Sequence, residues 1–169
     1  MLYYSNFSRI KRGVLRYLCA LPMLLQAGCD GDGPLFPQPP PLANNYPLSS
    51  STSVPEGISF DPLERAFYVT GLGDGSITRV ASDGTETMFR EADNNAELLG
   101  AKVDAQRRVI WVCAGFRDAP TSDSLLGYDL QSGSLLHDVS LSSAASGAQC
   151  NDLAIANDGS VYVTDPSNA

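Results

Sequence analysis

Two polar residues at the start of a short strand, Asn151 and Asp152, are the best candidates for chemistry in this sequence. They begin the segment 151–165, which has the pattern of a β-hairpin: an apolar run, an Asn-Asp-Gly turn and a second run alternating valine with other residues. Side chains at a strand end can project their oxygen atoms beyond the sheet, and divalent cations such as calcium bind oxygen ligands. The same oxygen atoms could instead cap the strand by accepting bonds from its backbone.

This hairpin occurs three times, and the repeat determines the predicted fold. The three copies begin at Glu56, Leu99 and Asn151. Their second strands carry an aromatic residue at the same place: Tyr68, Trp111 and Tyr162. Two further strands follow each of the first two copies, over 76–89 and 125–139. Four-stranded units repeated every 40–50 residues or so are typical of β-propeller blades.

We therefore predict an all-β protein, a partial β-propeller over residues 54–169 with two four-stranded blades plus a half blade. A β-sandwich built from similar hairpins is the alternative, and the constant spacing of the units favours the propeller. A closed propeller has about 4–8 blades. We expect a truncated copy of a longer propeller in preference to an assembly of partner chains.

Residues 1–28 are predicted to be a secretory signal peptide. Basic residues precede an apolar stretch that ends at Leu25 and is too short for a transmembrane helix. The following Ala27-Gly28-Cys29 resembles the lipobox of bacterial lipoproteins, which implies cleavage before Cys29 and a lipid on its thiol. Ordinary cleavage that leaves a free thiol, or an uncleaved amino-terminal anchor, are the alternatives.

Residues 29–53 are rich in proline and serine and are predicted to be a disordered linker. This composition cannot build a packed core. We expect the segment to tether the propeller to a membrane through the lipid on Cys29, in the bacterial cell envelope or periplasm.

The formal net charge of −8 argues against nucleic acid as a partner, because nucleic-acid-binding proteins carry basic patches. An acidic chain is compatible with divalent cations. The single histidine, His137, falls in an outer strand, which excludes a zinc site with several histidines and argues against a Ser-His-Asp triad.

Two cysteines, Cys113 and Cys150, are predicted to lie at the same end of neighbouring blades. A disulfide between them is compatible with an oxidising compartment. Two separate buried thiols are the alternative, since a disulfide needs Cα atoms within about 7 Å.

Several stretches resemble the SMP-30/gluconolactonase/LRE-like group of six-bladed propellers. They are Pro55-Glu56-Gly57, residues 74–80, and Asn151-Asp152 followed by residues 158–166. The resemblance covers residues 54–169, roughly half of the family's usual domain. It implies a divalent cation, calcium or zinc, at the top of the central channel, and a small lactone or ester as substrate.

Within this resemblance, Glu56 matches the glutamate ligand of the first blade and Asn151 matches an asparagine in or beside the metal site. Asp152 would orient that asparagine. Leu99, at the equivalent place in the second blade, provides no ligand. Since so few donors do not complete a hard-cation site, we expect weak binding and no turnover by this chain alone. One alternative is a non-catalytic propeller that binds a ligand or an envelope protein, with Glu56 a solvated turn residue. The other is a decayed or truncated gene product without a stable fold.

Overall fold

The structure, a computed structural model, describes the backbone of Leu2–Tyr4 and residues 39–119 and 123–168. The described residues form eleven β-strands and a short 3₁₀ helix at Leu141–Ser143. The strands are β1 (Leu2–Tyr4), β2 (Pro55–Asp61), β3 (Ala66–Gly71), β4 (Ile77–Ala81), β5 (Glu86–Arg90), β6 (Ala96–Asp104), β7 (Val109–Phe116), β8 (Ser124–Asp129), β9 (Leu135–Ser140), β10 (Leu153–Ile155) and β11 (Val161–Val163).

The strands form three antiparallel sheets that follow the predicted repeat. Blade one has the order β2-β3-β4-β5 and blade two the order β6-β7-β8-β9. Blade three contains β10 and β11, with β1 on the outer flank of β11. This arrangement confirms the predicted all-β partial propeller with two complete blades and a half blade.

The pairing of β1 with β11 is not predicted by the sequence. Leu2 lies opposite Val163 and Tyr4 lies opposite Val161 in the antiparallel register. β1 thus occupies the place that a third strand takes in the two complete blades. The rest of the predicted signal peptide, Cys29, and the linker as far as residue 38 lie outside the described residues.

Blade two is buried on both faces because its strands separate two hydrophobic cores. Alternate side chains of a strand point to opposite faces. On β7, Ile110 and Val112 face the core shared with blade one, whereas Trp111 and Cys113 face the core shared with blade three. A sheet with a neighbour on each side is the arrangement expected of a propeller blade.

The last part of the predicted linker is attached to blade one. The Tyr46 hydroxyl donates to the Ser82 carbonyl oxygen at 3.1 Å, and the Tyr46 ring lies 5.4 Å from that of Phe67. Ser49 donates to the Glu86 carboxylate through its hydroxyl at 2.7 Å. Among the described residues, no helix has the length and apolar character needed to cross a bilayer.

Ion pairs join the first two blades at the far end of β2. The guanidinium of Arg108, from the β6–β7 turn, lies 2.6 Å from the carboxylate of the fully buried Asp61. Arg108 also pairs with Glu64, which Arg79 contacts at 3.1 Å. These contacts hold the two hairpin turns together across the boundary between the blades.

Candidate metal centre at the strand tips

Each unit has the same irregularity at the start of its first strand. In blade one, Glu56 and Gly57 together oppose Thr70. In blade two, Leu99 and Gly100 together oppose Cys113. Such a β-bulge bends the strand and redirects its side chains.

Blade three shows the same pairing in its hydrogen bonds. The backbone amide of Asn151 donates to the carbonyl oxygen of Thr164 at 3.1 Å. The backbone amide of Thr164 donates to the carbonyl oxygen of Asp152 at 2.8 Å. Glu56, Leu99 and Asn151 are therefore structurally equivalent, as the repeat predicts.

Glycines allow the three bulges to touch one another. A Cβ atom on Gly57 would lie 2.4 Å from the Leu99 carbonyl oxygen, and one on Gly100 would lie 2.5 Å from Asp152 Oδ1. Because glycine has no Cβ atom, the strands can approach closely, and the Thr70 hydroxyl donates to the Leu99 carbonyl oxygen at 2.6 Å. The Gly100 amide donates to the Asn151 carbonyl oxygen at 3.0 Å. The tips of the three first strands are thereby brought side by side.

The predicted ligands line one cleft of about 300 Å³ between these tips. Glu56 enters it from blade one, and Asn151 and Asp152 enter it from blade three. All three residues are exposed to solvent. Blade two contributes Lys102 instead of an oxygen donor from a side chain.

Asp152 is partly committed to other partners. Its Oδ1 accepts a hydrogen bond from the Leu153 amide at 2.8 Å and lies 4.0 Å from Lys102 Nζ. The ammonium group of Lys102 would repel a cation, and Asp152 compensates its charge. The side-chain amide oxygen of Asn151 and the carboxylate of Glu56 are the remaining side-chain oxygens in this cleft that could ligate a cation.

These donors fit a divalent cation in chemical type but fall short in number. Carboxylate and amide oxygens are ligands of calcium, which takes six to eight of them or so. Within the described residues, no group of three or more histidine, cysteine, aspartate or glutamate side chains is arranged around one point. Solvent would have to supply most of the ligands, so the arrangement supports only weak binding.

A disulfide fixes the neighbouring strand tip. Cys113 and Cys150 are bonded, with their Cα atoms 5.0 Å apart. Cys113 occupies the place that Thr70 has in blade one, the residue opposite the bulge. The same position therefore links each blade to the next, by a hydrogen bond from Thr70 and by a covalent bond from Cys113.

The sequence did not single out Lys102 or Asp123 as site residues. Lys102 directly faces Trp111 across the β6–β7 pair, so the repeat itself places it on the first strand. Asp123 is buried next to Cys150, and no local pattern marks it. Its role depends on a contact between residues far apart in the sequence.

A search of solved structures identifies the class of this fold. The chain is similar to a protein from Thermus thermophilus provisionally named an oxidoreductase (glucose dehydrogenase). The two are 14% identical, the match covers 68% of this chain and 37% of that chain, and the TM-score is 0.50. This likeness and the repeat define the β-propeller class.

Part of the nidogen/laminin complex also matches, at 14% identity over 62% of this chain and 54% of that chain, with a TM-score of 0.35. No family model matches the sequence, and no curated protein matches it. The chain spans little more than a third of the length of the Thermus protein to which it is similar.

Proposed function

We propose that this chain is an exported propeller of the SMP-30/gluconolactonase-like type, related to the divalent-metal-dependent hydrolases of lactones and esters. The observation that carries the proposal is the shared cleft, which receives Glu56 and Asn151 from equivalent bulges. These are the two positions that match metal-site residues in the resemblance. The Asn-Asp hairpin and the repeat add support from the sequence.

Glu56 and Asn151 would hold the cation, calcium or zinc, and Asp152 would orient Asn151 and neutralise Lys102. A bound cation of this kind polarises a carbonyl oxygen and lowers the pKa of water. With two free donors from this chain, we expect binding in the millimolar range or so and no turnover of a lactone.

Export and anchoring form part of the same proposal. The basic and apolar stretch at residues 1–28 and Cys29 support cleavage before the cysteine and attachment of a lipid. The domain would then stand at a membrane of the cell envelope. Mass spectrometry of the mature amino terminus tests this, because a diacylated Cys29 and an unmodified terminus differ in mass.

Thermal unfolding of the full chain with added CaCl₂ or ZnCl₂ tests the metal site. A cation that binds only the folded state stabilises it by RT ln(1 + [L]/Kd). With about 10 mM salt and a dissociation constant near 1 mM, the gain is about 1.4 kcal/mol, or a few degrees in melting temperature.

The matched variants are Glu56→Gln in the cleft and Glu91→Gln as the control. Both residues are exposed, and Glu91 does not line the cleft. Glu56→Gln should abolish the shift, whereas Glu91→Gln should keep it. An unchanged melting temperature in wild type at these concentrations would rule the metal site out.

The second candidate function is a non-catalytic propeller that binds a ligand or protein of the envelope. Leu99 and Lys102 favour it. Leu99 is an apolar residue at the position equivalent to Glu56 and Asn151, and Lys102 places a positive charge in the cleft. Release of acid from a simple lactone by the full chain in saturating calcium would contradict this candidate and the expected lack of turnover.

A further inference from the structure

A second cleft, of about 380 Å³, opens between blades two and three. Its lining includes Leu99, Phe116, Asp123, Cys150, Asn151 and Pro166. Its volume lies in the range of sites for small organic molecules. Glu56, Lys102 and Asp152 do not line it, so it is a different cleft from the one considered for the metal, with Asn151 on the boundary between the two.

Asp123 is the unusual group in this second cleft. The residue is only 8% exposed. Its Oδ2 accepts a hydrogen bond from the amide of Cys150 at 2.9 Å, whereas its Oδ1 accepts none from the described residues and is not sealed from solvent. An acceptor on the cleft wall is therefore left for a donor from outside.

The surroundings of Asp123 are negative. Burial raises the pKa of Asp123, and the nearby charges of Asp165 and Glu97 raise it further, against the hydrogen bond from Cys150. The one basic side chain that lines the cleft, Arg117, is already engaged. Its Nε lies 3.0 Å from Glu97 Oε1, and its Nη2 donates to the carbonyl oxygen of Leu72 at 3.0 Å.

A donor that also carries positive charge would satisfy Asp123 Oδ1 and offset this negative potential. A metal ion is a poor match, since no three ligating side chains surround one point in the described residues. The walls are partly apolar, through Leu99, Phe116 and Pro166. Hydrocarbon can pack on them, and an aromatic ring such as that of Phe116 attracts cations.

We propose that this cleft binds a small organic cation, a primary amine, whose ammonium donates to Asp123 Oδ1 and whose hydrocarbon part packs against Leu99, Phe116 and Pro166. The disulfide holds Cys150, and Cys150 in turn positions the carboxylate. This inference does not depend on the proposed metal site, and either can fail alone.

Calorimetric titration of the full chain with benzylamine tests the proposal, with benzyl alcohol as the neutral analogue of similar shape. Benzylamine should bind and the alcohol should bind about tenfold more weakly or not at all, as expected for a charge-assisted hydrogen bond. Equal binding of the two compounds, or no binding of benzylamine, would overturn the proposal.

Asp123→Asn removes the charge and keeps an oxygen that can accept from Cys150. It should weaken benzylamine binding about tenfold or more. Asp138→Asn, on the exposed strand β9, makes the same charge change outside the cleft and should leave binding unchanged. Unaltered binding by Asp123→Asn would contradict the inference.

A pH series on the wild-type protein keeps the test valid even where Asp123→Asn folds poorly. The amine stays protonated below neutral pH, so its affinity should fall as pH falls through the raised pKa of Asp123. Burial would raise the pKa of Asp165, but bonds from Asn168 and backbone amides outweigh it and lower that pKa. Asp165 therefore titrates at lower pH than Asp123. The other carboxylate that lines the cleft, Glu97, forms an ion pair with Arg117. A flat profile down to the ordinary aspartate pKa of about 3.9 would reject Asp123 as the anchor.

Discussion

At the scale of single residues, the sequence predicted which residues occupy equivalent positions in the three repeats, but it did not predict which side chains contact one another. Glu56, Leu99 and Asn151 could be aligned because each begins a hairpin of the same pattern, and the structure places them on equivalent bulges. The partners of Asp123 could not be predicted, since Cys150 reaches it only after two blades have packed. The repeat in the sequence identifies equivalent residues of different blades, whereas contacts between distant residues depend on how the blades pack.

The ion pair of Asp61 with Arg108 allows a prediction at this scale. Asp61 is fully buried, and its Oδ2 contacts the Arg108 guanidinium. The change Arg108→Met keeps a long side chain but leaves a buried carboxylate without its cation, which costs about 3 kcal/mol or more. Chemical denaturation should show this loss of unfolding free energy.

The control for Arg108→Met is Arg79→Met, which removes a partly exposed pair with Glu64 and a contact with the Tyr68 hydroxyl, but leaves the Asp61 pair in place. We expect about 1 kcal/mol or less for that variant. Equal losses for the two variants would mean that burial of Asp61 does not set the strength of the pair.

At the scale of elements, hairpins were predictable and bulges were not. Alternating residues and glycine turns predicted every strand from β2 to β11, although β6 begins three residues before Leu99 and β10 begins two residues after Asn151. The two-against-one pairing of Glu56 and Gly57 with Thr70 has no signature in local propensity. It is stabilised by a neighbouring blade, through the Leu99 carbonyl oxygen.

The close approach at Gly57 leads to a second prediction. Gly57→Ala would place a methyl group 2.4 Å from the Leu99 carbonyl oxygen and 2.6 Å from the Thr70 hydroxyl. Two backbone segments must then separate, and overpacking of this kind costs about 1–3 kcal/mol. The melting temperature should fall by several degrees.

Gly115→Ala serves as the control, because its nearest neighbour would be Asp123 Oδ1 at 3.4 Å, an ordinary contact. That variant should melt close to wild type. If Gly57→Ala also melts like wild type, the three tips are not packed against one another as described.

At the scale of the whole molecule, the described domain depends on the boundaries between blades. Blade two buries both of its faces, and its partners on either side are blades one and three. The half blade contributes only β10, β11 and β1. Its connection to blade two therefore relies strongly on the disulfide between Cys113 and Cys150.

Reduction should accordingly destabilise the protein. The bridge closes a loop between cysteines 37 positions apart, which corresponds to about 4 kcal/mol in the chain-entropy description. Thermal unfolding with and without dithiothreitol measures the loss. The double variant Cys113→Ser with Cys150→Ser should resemble the reduced protein and no longer respond to dithiothreitol. A wild-type melt indifferent to dithiothreitol would contradict the bridge.

The pairing of β1 with β11 bears on the proposed processing of the amino terminus. Leu2–Tyr4 lies within the stretch that cleavage before Cys29 would remove, and its backbone pairs with β11. Cleavage at that point, as proposed above, would remove β1 and take this partner from β11. A bare strand edge readily recruits another strand.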